Sequence, residues 1–236
     1  MFNFMKNQGD NSKGSEKSIS TKKHLTEVSL RLFQDKGFEK TTMREIAREA
    51  EVSLGSAYYY FKNKEEIVLF FYQSSLEKTL EYSEKIFAQP KPLDQKLLEF
   101  FDSKFKELLP NRNFLKVLSR SAFDSAAPTS PFSEQNQPIK PKVIGLLEKA
   151  IEEENVKAGK DLRPILGSLI WHLQMALLLY WLHDKSDNQI RTQKLTEKTL
   201  KLFFTFVGLS SLPLIRGFNK SFVEIFQLIE ASHETT

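Results

Sequence analysis

Residues Thr41 to Lys64 read TTMREIAREAEVSLGSAYYYFKNK. Two short segments here each begin at a residue able to cap a helix, Thr41 or Thr42 before the first and Ser53 before the second. The first carries Ile46, Ala47 and Ala50, the second carries Ala57 and runs to about Tyr60, and a short break around Glu51 and Val52 separates them. Two short capped helices at that spacing form a helix-turn-helix, in which the first braces the second and the second enters a DNA major groove. Ile46, Ala47, Val52 and Ala57 would share a small core with Leu32 and Phe38. The second helix would then expose Ser53, Leu54, Gly55, Ser56 and Tyr59, an unusual surface for water alone. A glycine inside a helix costs about 1 kcal/mol relative to alanine, so Gly55 points to the close approach of another backbone, which DNA would supply.

Outward from this stretch the periodicity stays helical, and no segment alternates with the two-residue period of a strand. The chain is expected to be all-α. Ser20 or Thr21 would cap a first helix with Leu25, Val28, Leu32 and Phe33 on one stripe, and Gly37 would stop it. Asn63 would cap a long fourth helix that holds Glu65 and Glu66 in its first turn and ends near Ala88, before Pro90 and Pro92. Further helices are expected near residues 93–109, 113–126, 142–157, 161–183, 188–209 and 213–232. Residues 127–141, with prolines at 128, 131, 138 and 141, are expected to form a long functional loop. Residues 1–20 are polar and charged and are expected to be a disordered tail.

Composition removes several alternatives. The 236 residues include no cysteine, which excludes disulfide frameworks, thiol nucleophiles and cysteine-ligated metals, and favours a reducing, cytoplasmic setting. No secretory leader is visible in residues 1–20. The longest apolar stretch, residues 166–182, is shorter than the roughly 20 residues of a membrane helix and is interrupted by His172 and Gln174, so no membrane association is expected. His172 and His183 sit about 16 Å apart along one helix and cannot share a metal ion. Neither a metal nor a cofactor is expected. No Gly-x-Ser-x-Gly, His-Glu-x-x-His or phosphate loop occurs. Ser-x-x-Lys occurs at residues 20–23 and 75–78 without the motifs that give it catalytic meaning, so an α-helical enzyme is the weaker alternative. Basic residues exceed acidic ones by 34 to 30, and the whole excess of four falls within residues 1–64, which hold 12 basic and 8 acidic side chains. So small an excess implies specific rather than polycationic nucleic-acid binding.

The spacing of Ile46-Ala47, Val52-Ser53-x-Gly55, Tyr58-x-Tyr60-Phe61 and Lys64-Glu65-Glu66-Ile67 resembles the DNA-binding domain of TetR-family transcriptional regulators. The resemblance covers residues 21–67; the remainder is similar to the family only in being helical and of suitable length. It implies a DNA-binding domain over residues 21–67 and a larger helical ligand-binding and dimerisation domain over residues 68–236. One departure is Glu51, where the family often has glycine. Carried over residue by residue, the resemblance implies that Thr42, Tyr58 and Lys64 hold phosphates, while Arg44, Leu54, Gly55, Ser56 and Tyr59 face the groove. Arginine can grip guanine bidentately and Leu54 could meet a thymine methyl, and the helix amides at Ser53 and Asn63 suit phosphate. Tyr58, Tyr60 and Phe61 could instead be core aromatics. Arg44 and Arg48 could instead form a solvated, salt-bridged face with Glu45 and Glu49.

The implied function is a homodimeric regulator, most simply a repressor, that binds a double-stranded palindromic operator and is released by a small ligand. Two apolar helices within residues 161–209, bearing Leu169, Leu173, Ala176 and Leu177 and then Leu195, Leu202, Phe206 and Leu209, are the expected dimer face. Twenty phenylalanines suggest an apolar or aromatic ligand, with Phe71, Phe100, Phe101, Phe105, Phe114, Phe123, Trp171, Met175 and Tyr180 as candidate lining. An aromatic at helical spacing is more often plain core, and that is the alternative for each of these. The alternative within the same fold is a regulator controlled by a protein partner.

Overall fold

In the computed structural model the described residues are 9–119 and 139–231. They form ten α-helices and no strand: α1 (Gly9–Lys36), α2 (Met43–Glu49), α3 (Leu54–Tyr60), α4 (Lys64–Phe87), α5 (Leu93–Leu108), α6 (Arg112–Leu118), α7 (Ile139–Glu153), α8 (Leu166–His183), α9 (Ile190–Leu209) and α10 (Arg216–Ala231). The chain divides into two units, Met1–Phe71 and Tyr72–Thr236. The division falls inside α4, four residues beyond the boundary expected from the sequence, because the first turns of that helix bury Ile67 and Val68 and set Phe70 against Phe61 at 5.6 Å.

Helix α1 corrects the expected tail. It begins at Gly9, so residues 9–20 are helical, and only residues 1–8 of the supposed tail lie outside the described residues. These residues carry no apolar stripe, and a helix already nucleated needs none to propagate backwards through its own hydrogen bonds. At the other end Gly37 adopts φ +89°, and its amide donates to the Phe33 carbonyl at 3.0 Å. Leu25, Val28, Leu32 and Phe33 are all buried, as their spacing predicts.

In the second unit α8 is the central helix, packed by α7, α6, α5 and α9. Together with the turn before it, over Arg163–His183, this helix is long and apolar enough to cross a membrane, but half of the apolar window is buried inside the chain, as in a core helix. Three boundaries shift at prolines and at left-handed residues. Helix α7 starts at Ile139 and takes Pro141 into its first turn, where the missing amide costs nothing. The helix expected from residue 161 opens as a 3-10 turn, Arg163–Ile165, around Pro164. Asn188 and Gln189, at φ +48° and +53°, delay α9 until Ile190. The remainder of the expected loop, residues 127–138, and the last part of the helix expected over 113–126 lie outside the described residues.

Asp184 joins α8 to α9. Its Oδ1 accepts from the Ser186 amide at 2.9 Å and hydroxyl at 2.7 Å, and its Oδ2 accepts from the Thr192 amide at 2.9 Å and hydroxyl at 2.7 Å. Burial pushes this carboxyl up, but the four donors outweigh that and hold it well below the usual carboxylate range.

Candidate nucleic-acid interface

The helix-turn-helix is built by local hydrogen bonds that the sequence encodes. Thr42, rather than Thr41, caps α2: its hydroxyl accepts from the Glu45 amide at 3.2 Å, and the Glu45 carboxylate accepts in return from the Thr42 amide at 3.0 Å, a reciprocal capping box. Thr41 is buried, and its hydroxyl donates to the Gly37 carbonyl at 2.9 Å. The exit from α2 is a Schellman motif, with Val52 N–H donating to the Ala47 carbonyl at 3.0 Å and Glu51 N–H to the Arg48 carbonyl at 3.2 Å. That motif demands a left-handed residue, and Glu51 adopts φ +53° to supply it. Ser53 then caps α3, accepting from the Ser56 amide at 3.0 Å, and Asn63 does the same at the start of α4 through the Glu66 amide at 2.9 Å.

These turns fix which side of α3 faces inward. Ala57 and Phe61 are buried with Ile46, Ala47 and Ala50, so Phe61 is a core aromatic. Tyr59 is 81% exposed and Tyr58 48%, Ser53 and Gly55 are exposed, and Leu54, Ser56 and Tyr60 are half-buried. A Cβ on Gly55 would meet nothing closer than the Ser53 hydroxyl at 4.0 Å, so nothing among the described residues calls for glycine there.

On α2, Thr42 and Arg44 are exposed. The salt-bridged face weighed for Arg44 and Arg48 does not form. Glu45 pairs with Lys36 of α1 at 3.0 Å and Glu49 with Arg31 at 3.1 Å, and among the described residues neither Arg44 nor Arg48 joins an ion pair. The hydrogen bond from Lys36, aided by those from Thr42, lowers the Glu45 carboxyl to about 2. Lys64 is half-buried, and its ammonium donates to the Phe38 and Glu39 carbonyls at 2.7 and 3.3 Å.

The expected ligand-lining residues are scattered. Phe71 is buried in the first unit. In the second unit Phe100, Phe101, Phe105, Phe114 and Trp171 are buried, and the rings of Phe100 and Phe101 lie 6.0 Å apart. Met175 is half-buried, Tyr180 falls on the exposed strip of α8 with Ala176 and His183, and Phe123 lies outside the described residues. Sequence reasoning passed over Trp181, one residue on, which is buried, stacks on Phe105 at 5.6 Å and lies 5.2 Å from the Arg112 guanidinium. It also passed over Lys104, whose ammonium is held by the Ser75 and Thr79 hydroxyls at 2.5 and 2.9 Å and by Glu107 at 2.8 Å. Burial pushes the Lys104 ammonium below its usual range, with Glu107 pulling it back. All three of its protons are thereby used inside the chain.

Residues 25–69 match the family described as bacterial regulatory proteins, tetR family, and residues 96–222 match the Tetracyclin repressor-like C-terminal domain. The chain belongs to the TetR family of transcriptional regulators. It is 31% identical over 101 residues to the HTH-type regulator YerO of Bacillus subtilis, covering 41% of this chain and 34% of that protein. A second Bacillus subtilis regulator of this type, YuxN, is 25% identical over 218 residues, covering 83% of this chain and 72% of its own length. The chain spans only 34–42% of the length of three relatives that it matches at 31–38% identity. Among solved structures, Thermus thermophilus FadR, a TetR-family repressor in complex with lauroyl-CoA, shares the fold with a TM-score of 0.57 at 19% identity, covering 76% of this chain and 93% of that one.

Proposed function

We propose that the protein is a ligand-responsive homodimeric repressor that binds a palindromic operator through α3. The observation that carries this reading is the outward face of α3. A helix of seven residues, capped and anchored by Ala57 and Phe61, holds two tyrosines, a glycine and a serine toward solvent, where only a partner gives them a use. Thr42, Tyr58 and Lys64 hold phosphates, the last with the ammonium proton left after its two carbonyl bonds. Arg44, Leu54, Gly55, Ser56 and Tyr59 meet the groove, the helix amide at Ser53 faces a phosphate, and Arg44 is unencumbered by any ion pair among the described residues.

Dimerisation is supported by an apolar face on α9 and α10 rather than on the expected α8, which is largely interior. Leu195, Leu202 and Leu209 are exposed at intervals of seven along α9, and Phe218, Ile225 and Leu228 are exposed on α10. Phe206 lies 6.1 Å from Phe218 and 5.6 Å from Phe222, which makes the two helices one apolar surface. Residues 72–236 act as the sensor, and the aromatic residues buried there favour an apolar ligand. The lauroyl-CoA held by the Thermus thermophilus relative agrees with that choice. Ligand and DNA favour different arrangements of the dimer and so weaken each other by linkage. DNA binding places the protein in the cytoplasm.

Selection of duplexes from a random pool by the purified protein tests this reading. The expected product is a near-palindrome with half-sites about one helical turn, roughly 34–36 Å, apart or a multiple of it. Arg44→Ala and Leu54→Ala then change base preference, whereas Tyr58→Phe weakens all duplexes alike. Monomers at micromolar concentration bound to single half-sites would refute the dimer.

A further inference from the structure

Gln174 is 3% exposed, and its Nε2 has no hydrogen-bond partner among the described residues. A buried N–H left unpaired is costly, and native cores retain few of them. The neighbours of Gln174 along α8 fix where it lies. Three residues before it, the Trp171 ring stands 5.2 Å from the ammonium of Lys140 at the start of α7. Seven residues after it, two helical turns on and therefore on the same face, Trp181 stacks on Phe105 of α5, and its carbonyl accepts from Arg112 at the start of α6. Gln174 thus stands between these two contacts, on the side of α8 that α5, α6 and α7 cover. The adjoining buried residues of that side, Ile170, Trp171, Leu177 and Trp181, are apolar or aromatic.

We propose that Gln174 is the polar anchor of the ligand site: its Nε2 donates to the oxygen of a neutral carbonyl, of ketone, ester or amide type, on an otherwise apolar molecule lodged between α8 and the helices α5 to α7. This inference rests on the reading of residues 72–236 as a sensor. A neutral carbonyl is chosen over a carboxylate because the two cations nearest along this face are already engaged, Lys140 with Glu230 at 3.0 Å and Arg112 with the Trp181 and Asp184 carbonyls. A carboxylate buried there would lack a counter-charge.

The two tryptophans of the chain, Trp171 and Trp181, flank Gln174, so their fluorescence reports occupancy. The full-length protein is titrated with valerophenone and with pentylbenzene, which share a skeleton and differ by the carbonyl oxygen, and likewise with 2-undecanone and undecane. Gln174→Leu is expected to weaken ketone binding at least tenfold and to leave the hydrocarbons unchanged. Ketone affinity unchanged by the substitution, or ketone and hydrocarbon affinities falling alike, would overturn the anchor and leave the sensor reading intact. Failure of both pairs to bind the wild-type protein would overturn both. Should Gln174→Leu lose its helical circular dichroism, Gln174→Met takes its place under the same criteria.

Discussion

The Lys64 ammonium donates to the Phe38 carbonyl at 2.7 Å and lies 4.6 Å from the centroid of the Phe38 ring. One side chain thereby ties the first residue of α4 to the connection between α1 and α2.

Lys64→Ala separates this internal brace from the phosphate contact proposed for the same side chain. Loss of the internal bond and the cation–π contact should cost about 1–2 kcal/mol of stability, read as a lower urea midpoint. Loss of a phosphate contact should lower the salt slope of operator binding by about one unit, without altering base preference. A stability loss with an unchanged slope would make Lys64 purely a brace.

Glu51 and Gly37 make opposite predictions from the same backbone region. Glu51 holds φ +53° at a conformational cost that glycine would not bear, so Glu51→Gly should raise stability by up to about 1 kcal/mol. Gly37 at φ +89° has open space around it, so Gly37→Ala should cost about 1 kcal/mol through backbone strain alone, with no clash to relieve. Thermal unfolding of the two variants beside wild type checks both signs.

Acid should weaken the helix-turn-helix through Glu45. Its carboxyl titrates near 2 in the folded chain against an ordinary 4.5, so the folded state holds fewer protons and its contribution is present above pH 4.5. That contribution is lost as pH falls from 4.5 toward 2. The stability difference between wild type and Glu45→Gln should therefore shrink over this interval and stay constant from pH 5 to 7. A difference independent of pH would show that the pairing with Lys36 and Thr42 carries no ionic share.

Asp184→Ala should be the most damaging of the substitutions considered. It strands the amide and hydroxyl of Thr192, which is wholly buried, and removes two bonds to Ser186. About 2–4 kcal/mol should be lost, whereas Asp184→Asn, which keeps one acceptor oxygen, should lose less.

Substitution on the exposed stripe should split the proposed dimer. Leu202→Glu or Ile225→Glu should halve the mass measured by light scattering and weaken operator binding while leaving the helical content intact. An unchanged mass would move the interface elsewhere.

The local devices of the fold were legible in the sequence. Ser53, Asn63 and Gly37 each signal a helix end through their own side chain or its absence, and the structure uses all three. The family's usual glycine at position 51 likewise marked the one turn residue that had to be left-handed. Register along α8 was not legible. That helix is apolar nearly all round, so no polar face tells Tyr180 from Trp181, and only packing shows that the second is interior. Gln174 could be seen only as an interruption of an apolar run. Its importance comes from a missing partner, which no sequence displays. The helical residues 9–20 were illegible for the opposite reason, since a polar segment extending an established helix carries no pattern of its own.

Helix α2 is formally neutral, two arginines against two glutamates, yet its charges are not equivalent to an approaching phosphate. Glu45 and Glu49 are turned to Lys36 and Arg31 of α1, which leaves Arg44 and Arg48 as cations of this helix with no ion pair among the described residues. The pairs are partly exposed, so added salt loosens them as well as the DNA contacts. Under the proposed docking each glutamate set free stands on α2 beside the duplex, while the cation it leaves, Lys36 or Arg31, stays on α1. The response of operator affinity to ionic strength therefore contains an internal component, and it should be steeper than the number of phosphates touched requires.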